Sequence, residues 1–292
     1  MSIINTYNKH YKLLLLIPLI LLVISLGYIY TFYQENNDFI RKDVSLTGGT
    51  VITVFLQEEI SISSLESSLA EKLEDFSVRE ATGLTTGRQE AVIIESSVES
   101  AELREAVEGF LGYELTQDNS TIEFTGSSLS EAFYSQLIKA IIFAFILMAI
   151  IVFLIFRSGI PSLAVILSAF ADIVMTLALT NFLGVRLSSA GIVAFLMIIG
   201  YSVDTDIMLT SRLLKQHDNT LDKRLTSSLK TGLTMTLTSL VAVLLAFFIT
   251  AGVSEILRQI FLILTIGLSF DIINTWLMNA SILKWYIDRR KK

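Results

Sequence analysis

The 292-residue sequence has no cysteine, two prolines and two histidines. Without thiols there is neither a disulfide framework nor a thiolate metal centre, and no cofactor is expected. The histidines, His10 and His217, stand singly in polar flanks and read as ordinary surface residues, so His-based catalysis has no foothold. No Gly-Lys pair followed by Ser or Thr occurs, which excludes a Walker-type phosphate loop. Charged residues make up only 17% of the chain, with a net charge of -6, and most of the acid lies between Gln34 and Glu131. A nucleic-acid partner is not expected from that balance, nor is an enzyme.

What is abundant is apolar. The sequence is 52% hydrophobic, with a mean hydropathy of +0.64, beyond the range of ordinary soluble domains. A run of about 20 apolar residues spans a bilayer. Such runs occupy residues 13–33, 136–156, 162–183, 189–210, 231–251 and 256–286, the last one long enough to tilt or to enter the interface. The first has too long an apolar core and too bulky an exit, SLGYIYTFY, for a cleavable signal, and reads as an uncleaved anchor that Pro18 can kink. Lys and Arg in short flanks set the orientation. With the N-terminus (residues 1–12) inside, Lys9, Lys12, Arg157, Arg212, Lys215, Lys223, Arg224 and the basic tail 287–292 all fall inside. The loop 211–230 is then cytoplasmic, and residues 34–135 form one extracytoplasmic domain.

That outer domain follows a pattern. TVITVFL from Thr50 is β-branched and reads as a strand. Leu65, Leu69, Leu73 and Phe76 recur at helical spacing over 62–76. SVREATGL and EAVIIES read as strands around the turn TTGRQ, VESAELREAVEGFLG as a second amphipathic helix, and STIEFTG as a last strand. The order βαββαβ predicts a ferredoxin-like α+β domain between the first two spans of a polytopic helical membrane protein. Ahead of the first strand, Gly48 and Gly49 in LTGGT allow a sharp turn into the domain.

Four carboxylates lie inside predicted spans: Asp172, Asp204, Asp206 and Asp271. A central aspartate costs roughly 2.5–3.5 kcal/mol on insertion scales, and no Lys or Arg lies mid-span to pair with these. They must be protonated, hydrated or bonded to hydroxyls, which makes them candidates for a proton relay. Asp204 and Asp206 are two apart on a helix and point to nearly opposite sides, so they cannot share a proton site. Gly200 lies one turn from Asp204 and would admit a close neighbour. The fifth span offers Thr231, Thr234 and Thr238 on one face, a hydroxyl row that could complete a path opposite Asp204.

The arrangement of anchor, TGGT-led outer domain and five further helices resembles the SecF branch of the SecD/SecF family of protein-export membrane subunits, within the RND superfamily. IGYSVDTDIMLTSRL resembles the family's GYS-containing fourth helix, and SLKTGLTMTLTSL its Ser/Thr-rich fifth. Where bacterial members have Asn-Asp-Thr, this chain has Asp204-Thr205-Asp206, and Met235 stands about where many carry an Arg; the pattern looks like the archaeal branch. The resemblance implies an accessory subunit of the Sec translocase in the cell membrane, working with a SecD homologue and a SecY-type channel on a translocating polypeptide, and driven by the proton gradient. It places Asp204 on the acidic motif. Two other readings are an RND-type exporter of lipids or small hydrophobic molecules, and a structural translocon subunit that moves no ions.

Overall fold

A computed structural model describes residues 2–73, 75–82, 88–215, 220–250 and 254–290. The turn residues 83–87 and His217 lie outside the described residues. Among the described residues, six helical segments are long and apolar enough to cross a membrane: Lys9–Asn36, Ser127–Phe156, Gly159–Phe182, Ser189–Leu214, Leu221–Thr250 and Ile256–Arg290.

The first segment is two helices, α1 (Ser2–Leu14) and α2 (Leu16–Asn36), broken at Leu15. Pro18 has no N–H to offer the carbonyl one turn back, and the ladder parts there. A four-residue helix α3 (Val44–Thr47), capped by Asp43, leads into strand β1 (Gly49–Phe55). Then follow α4 (Ile62–Ala70), β2 (Phe76–Thr82), β3 (Gln89–Ser96), α5 (Ser100–Leu111) and β4 (Ser120–Thr125). The sheet order is β2-β3-β1-β4, antiparallel throughout. One face, with Ile52, Val54, Val92 and Ile94, packs on Leu65 and Leu69 of α4 and Leu103 and Val107 of α5. The helix expected over 62–76 ends at Ala70. Leu73 still enters the core, but from a turn, and Phe76 opens β2. Apolar spacing ran on past the helix because both elements serve the same core.

Gly48 and Gly49 have φ of +84° and +137°, and a Cβ on Gly49 would lie 2.2 Å from the Ser96 carbonyl oxygen. Only glycine fits that entry to the sheet.

The bundle consists of α6 (Ser127–Phe156), α7 (Gly159–Phe182), α8 (Ser189–Lys215), α9 (Leu221–Thr250), α10 (Glu255–Ile273) and α11 (Ala280–Arg290). Helices α10 and α11 form one continuous rod through a π-helical stretch, Asn274–Asn279. Small side chains dominate the buried side of α7 (Ala164, Ser168, Ala169, Ala171, Ala178), which lets α2, α8 and α10 close around it. Helices α2, α6 and α9 are peripheral and turn most of their apolar side chains outward.

The sheet domain is tied to one end of the bundle. Leu187, in the turn between α7 and α8, exchanges backbone bonds with Arg41 and Asp43. Arg186 pairs with Asp75 at 2.9 Å, and Ser189 N–H donates to Ser45 Oγ at 3.0 Å. Gln259 of α10 joins them: its Oε1 accepts from Ser188 N–H and Oγ–H, and its Nε2 donates to the Arg186 carbonyl. Burial pushes the Asp43 carboxyl above the usual carboxylate range, against the bonds from Ser45 and the charges of Arg79 and Arg186.

Candidate functional site

Polar residues inside an apolar bundle converge at one level. Asp172 comes from the middle of α7, Ser202 and Asp206 from one face of α8 at i and i+4, and Asp271 from α10. Asn274, Thr275 and Asn279 come from the π stretch. The wider π turn brings Asn274, Thr275 and Asn279 all inside, fully buried. Asp172, Asp206 and Asp271 are 0%, 0% and 1% exposed.

Each carboxyl is met by neutral donors. Asn274 Nδ2 donates to Asp172 Oδ1 at 2.7 Å, and Ser202 Oγ to Asp172 Oδ2. Asn279 Nδ2 donates to Asp206 Oδ1 at 2.7 Å, and Ser168 of α7 lies beside the same carboxyl. Thr275 Oγ1 stands 2.9 Å from Asp206 Oδ1 and 3.0 Å from Asp271 Oδ1, and Thr236 of α9 reaches Asp271 Oδ2 at 3.4 Å. Among the described residues no basic side chain pairs with any of the three. A hydrogen bond to a charged group contributes about 1.5–3 kcal/mol. That is enough to offset much of the cost of placing each aspartate mid-membrane, but not the mutual repulsion of three anions. The repulsion among three carboxylates so placed is left uncompensated by these contacts.

The π stretch is seated from two sides. Gly232 of α9 abuts the Trp276 ring, where a Cβ would come within 2.5 Å. Tyr7 of α1 donates to the Trp276 carbonyl at 3.3 Å and bonds Ser281 Oγ at 3.0 Å; burial pushes its phenol up to about 12.

Of the residues singled out in the sequence, Asp172, Asp206 and Asp271 meet here. Asp204 does not. It stands exposed on the opposite face of α8, as the spacing of two required. Gly200 shares that face, and among the described residues nothing lies within 4 Å of where its Cβ would be; α9 approaches through Gly232 instead. Thr234 and Thr238 are exposed and bond the carbonyls of Lys230 and Thr234 in their own helix. Thr231 Oγ1 bonds the Ser227 carbonyl and accepts from Arg212 at 2.9 Å. The row faces outward, and the hydroxyl that α9 gives the cluster is Thr236. The sequence reading passed over Ser202, Thr236, Asn274, Thr275 and Asn279. The signal for the last three was present, since Asp271, Asn274, Thr275 and Asn279 form a polar seam in an apolar run.

Comparison with known proteins identifies the family. The profile of the protein export membrane protein SecD/SecF C-terminal family matches residues 111–289. The chain is 40% identical over 291 residues to the protein-export membrane protein SecF of Methanocaldococcus jannaschii, covering 97% of this chain and 99% of that one. It is 38% identical over 282 residues to SecF of Pyrococcus furiosus, covering 96% and 92%. Its fold superposes on a crystal structure of SecDF, a translocon-associated membrane protein from Thermus thermophilus, with a TM-score of 0.74 at 18% identity. It covers 99% of this chain and 40% of that one, so this chain spans about two-fifths of the solved protein. A multi-pass helical bundle, a small antiparallel sheet and near full-length likeness to archaeal SecF proteins come together, and the chain belongs to the SecD/SecF family of protein-export membrane proteins.

Proposed function

We propose that this chain is the SecF-type subunit of a translocase accessory complex, and that its export role is coupled to cation movement at Asp172, Asp206 and Asp271. The observation that carries the reading is the buried meeting of three carboxyls bonded only to neutral donors among the described residues. A proton taken up or released there changes how tightly α7, α8 and α10 hold together. Gln259 and the Arg186–Ser189 turn connect those helices to the sheet domain, so a shift of α10 reaches it. The sheet domain is ferredoxin-like and extracytoplasmic, both termini are cytoplasmic, and the translocating chain is engaged beside a SecY-type channel.

The partner is a SecD-type subunit. Asp204, Thr234 and Thr238 present polar groups on a face that would otherwise meet lipid, and a second six-helix unit supplies Asp204 with a partner that the described residues do not give it. Asp204 then serves the junction between subunits, where it joins a relay or fixes the pairing. The test is secretion of a reporter in cells depleted of this protein and rescued with Asp206→Asn. Normal accumulation and normal partner capture with lost export support ion coupling. Full export across a range of membrane potentials would leave an assembly role only.

A further inference from the structure

Thr275 lies between two acids and can serve only one of them as donor. Its hydroxyl carries a single hydrogen. Yet Oγ1 is within bonding distance of Asp206 Oδ1, at 2.9 Å, and of Asp271 Oδ1, at 3.0 Å. If both groups were carboxylates, two anions would face each other across one oxygen in a membrane interior, with no basic side chain pairing with either among the described residues. The second contact becomes a hydrogen bond when that carboxyl brings its own proton and donates to Thr275. The remaining groups at this level fit. Asn279 donates to the Asp206 oxygen that faces Thr275, Thr236 to the other oxygen of Asp271, and Asp172 takes its donors from Asn274 and Ser202.

We infer that Asp206, Thr275 and Asp271 share one proton and that the Thr275 hydroxyl hands it between α8 and α10. In the step, the proton on Asp206 Oδ1 moves to Thr275 Oγ1 while the threonine's own hydrogen moves to Asp271 Oδ1. One O–H bond breaks and one forms at each transfer, the threonine ends neutral, and the negative charge passes from Asp271 to Asp206. Asp172 is bonded by Asn274 and Ser202, not by Thr275, and sets the charge against which the exchange occurs. The purpose of such a bridge rests on the ion-coupled reading above; the shared proton rests on the geometry alone.

The experiment is infrared titration of carboxyl C=O bands in the purified full-length chain in lipid nanodiscs, with the solvent exchanged for deuterium oxide to mark exchangeable protons. The bridge requires a protonated-carboxyl band near neutral pH that Asp206→Asn and Asp271→Asn each remove. Thr275→Val, close in shape but without the hydroxyl, shifts the band, and Thr275→Ser leaves it in place. In the reconstituted complex with its partner subunit, Thr275→Val slows gradient-driven proton uptake by roughly a hundredfold, the contribution of a positioned proton-transfer group, and Thr275→Ser restores it. If Thr275→Val does not fold, the two Asn variants and Thr275→Ser still report on the band. No neutral-pH band in the wild-type chain, or one indifferent to Thr275→Val, overturns the bridge even if export depends on the gradient. A band that behaves as required while export ignores the gradient keeps the bridge and removes the ion-driven reading instead.

Discussion

At the scale of single residues, the buried carboxyls take hydrogen bonds from neutral donors. Asp43 is the case outside the membrane. It caps α3 through Ser45, and burial holds its carboxyl above the usual range. The folded state then keeps that proton more tightly than the unfolded chain. Stability at this junction is greatest below the unfolded value, falls as pH rises through the window up to the raised value, and is level above it. Asp43→Asn retains an oxygen for the cap and cannot titrate. Its thermal unfolding, followed by calorimetry from acid to neutral pH, should show a shallower fall than the wild type. A parallel pair of curves would assign the pH dependence to another group, Glu95 first, which burial also pushes upward.

At the scale of elements, one side chain of α10 supports the seat of the sheet domain. Gln259→Leu removes an acceptor from Ser188 N–H and Oγ–H and a donor from the Arg186 carbonyl. An unsatisfied group of this kind costs about 1–3 kcal/mol, so amides at 186–189 should exchange about tenfold faster, while those of α7 and α8 near Asp172 keep their protection. Unchanged exchange at 186–189 would place the hold elsewhere, on Arg186 and Asp75. Apolar period and turn chemistry made the long helices and the order of strands and helices readable from the sequence. Asp204 and Asp206, two apart, had to face opposite sides, but the sequence does not say which side is the inside of the bundle. That depends on α10, and so on how the last span winds. The π stretch was not legible, because DIINTWLMN is as compatible with an α-helix, and only packing against Gly232, Tyr7 and α7 selects the wider turn. Thr234 and Thr238 of the expected hydroxyl row are exposed, and the α9 hydroxyl that reaches a buried carboxyl is that of Thr236.

At the scale of the whole molecule, the proposed function puts the partner subunit on the α8–α9 side, where Asp204 and Thr238 are exposed. The absence of native cysteine makes this easy to map. Single cysteines replacing Gly200 or Thr238 should cross-link to a co-purified SecD-type subunit, whereas one replacing Val23, on the exposed side of α2, should react with lipid-phase reagents instead. Efficient cross-linking at Val23 and none at Thr238 would put the subunit contact on the other side of the bundle. The π stretch also has a mechanical consequence. It is one surplus residue in an otherwise α-helical rod, the counterpart of a dislocation in a crystal. Such a defect can glide by one position when hydrogen bonds are passed along in turn. Each step shifts only the residue the defect passes, by about 100° around and about 1.5 Å along the axis, and leaves the rod on either side in place, while every backbone group stays paired away from lipid. The last span can therefore re-aim side chains in its middle while both of its ends stay seated.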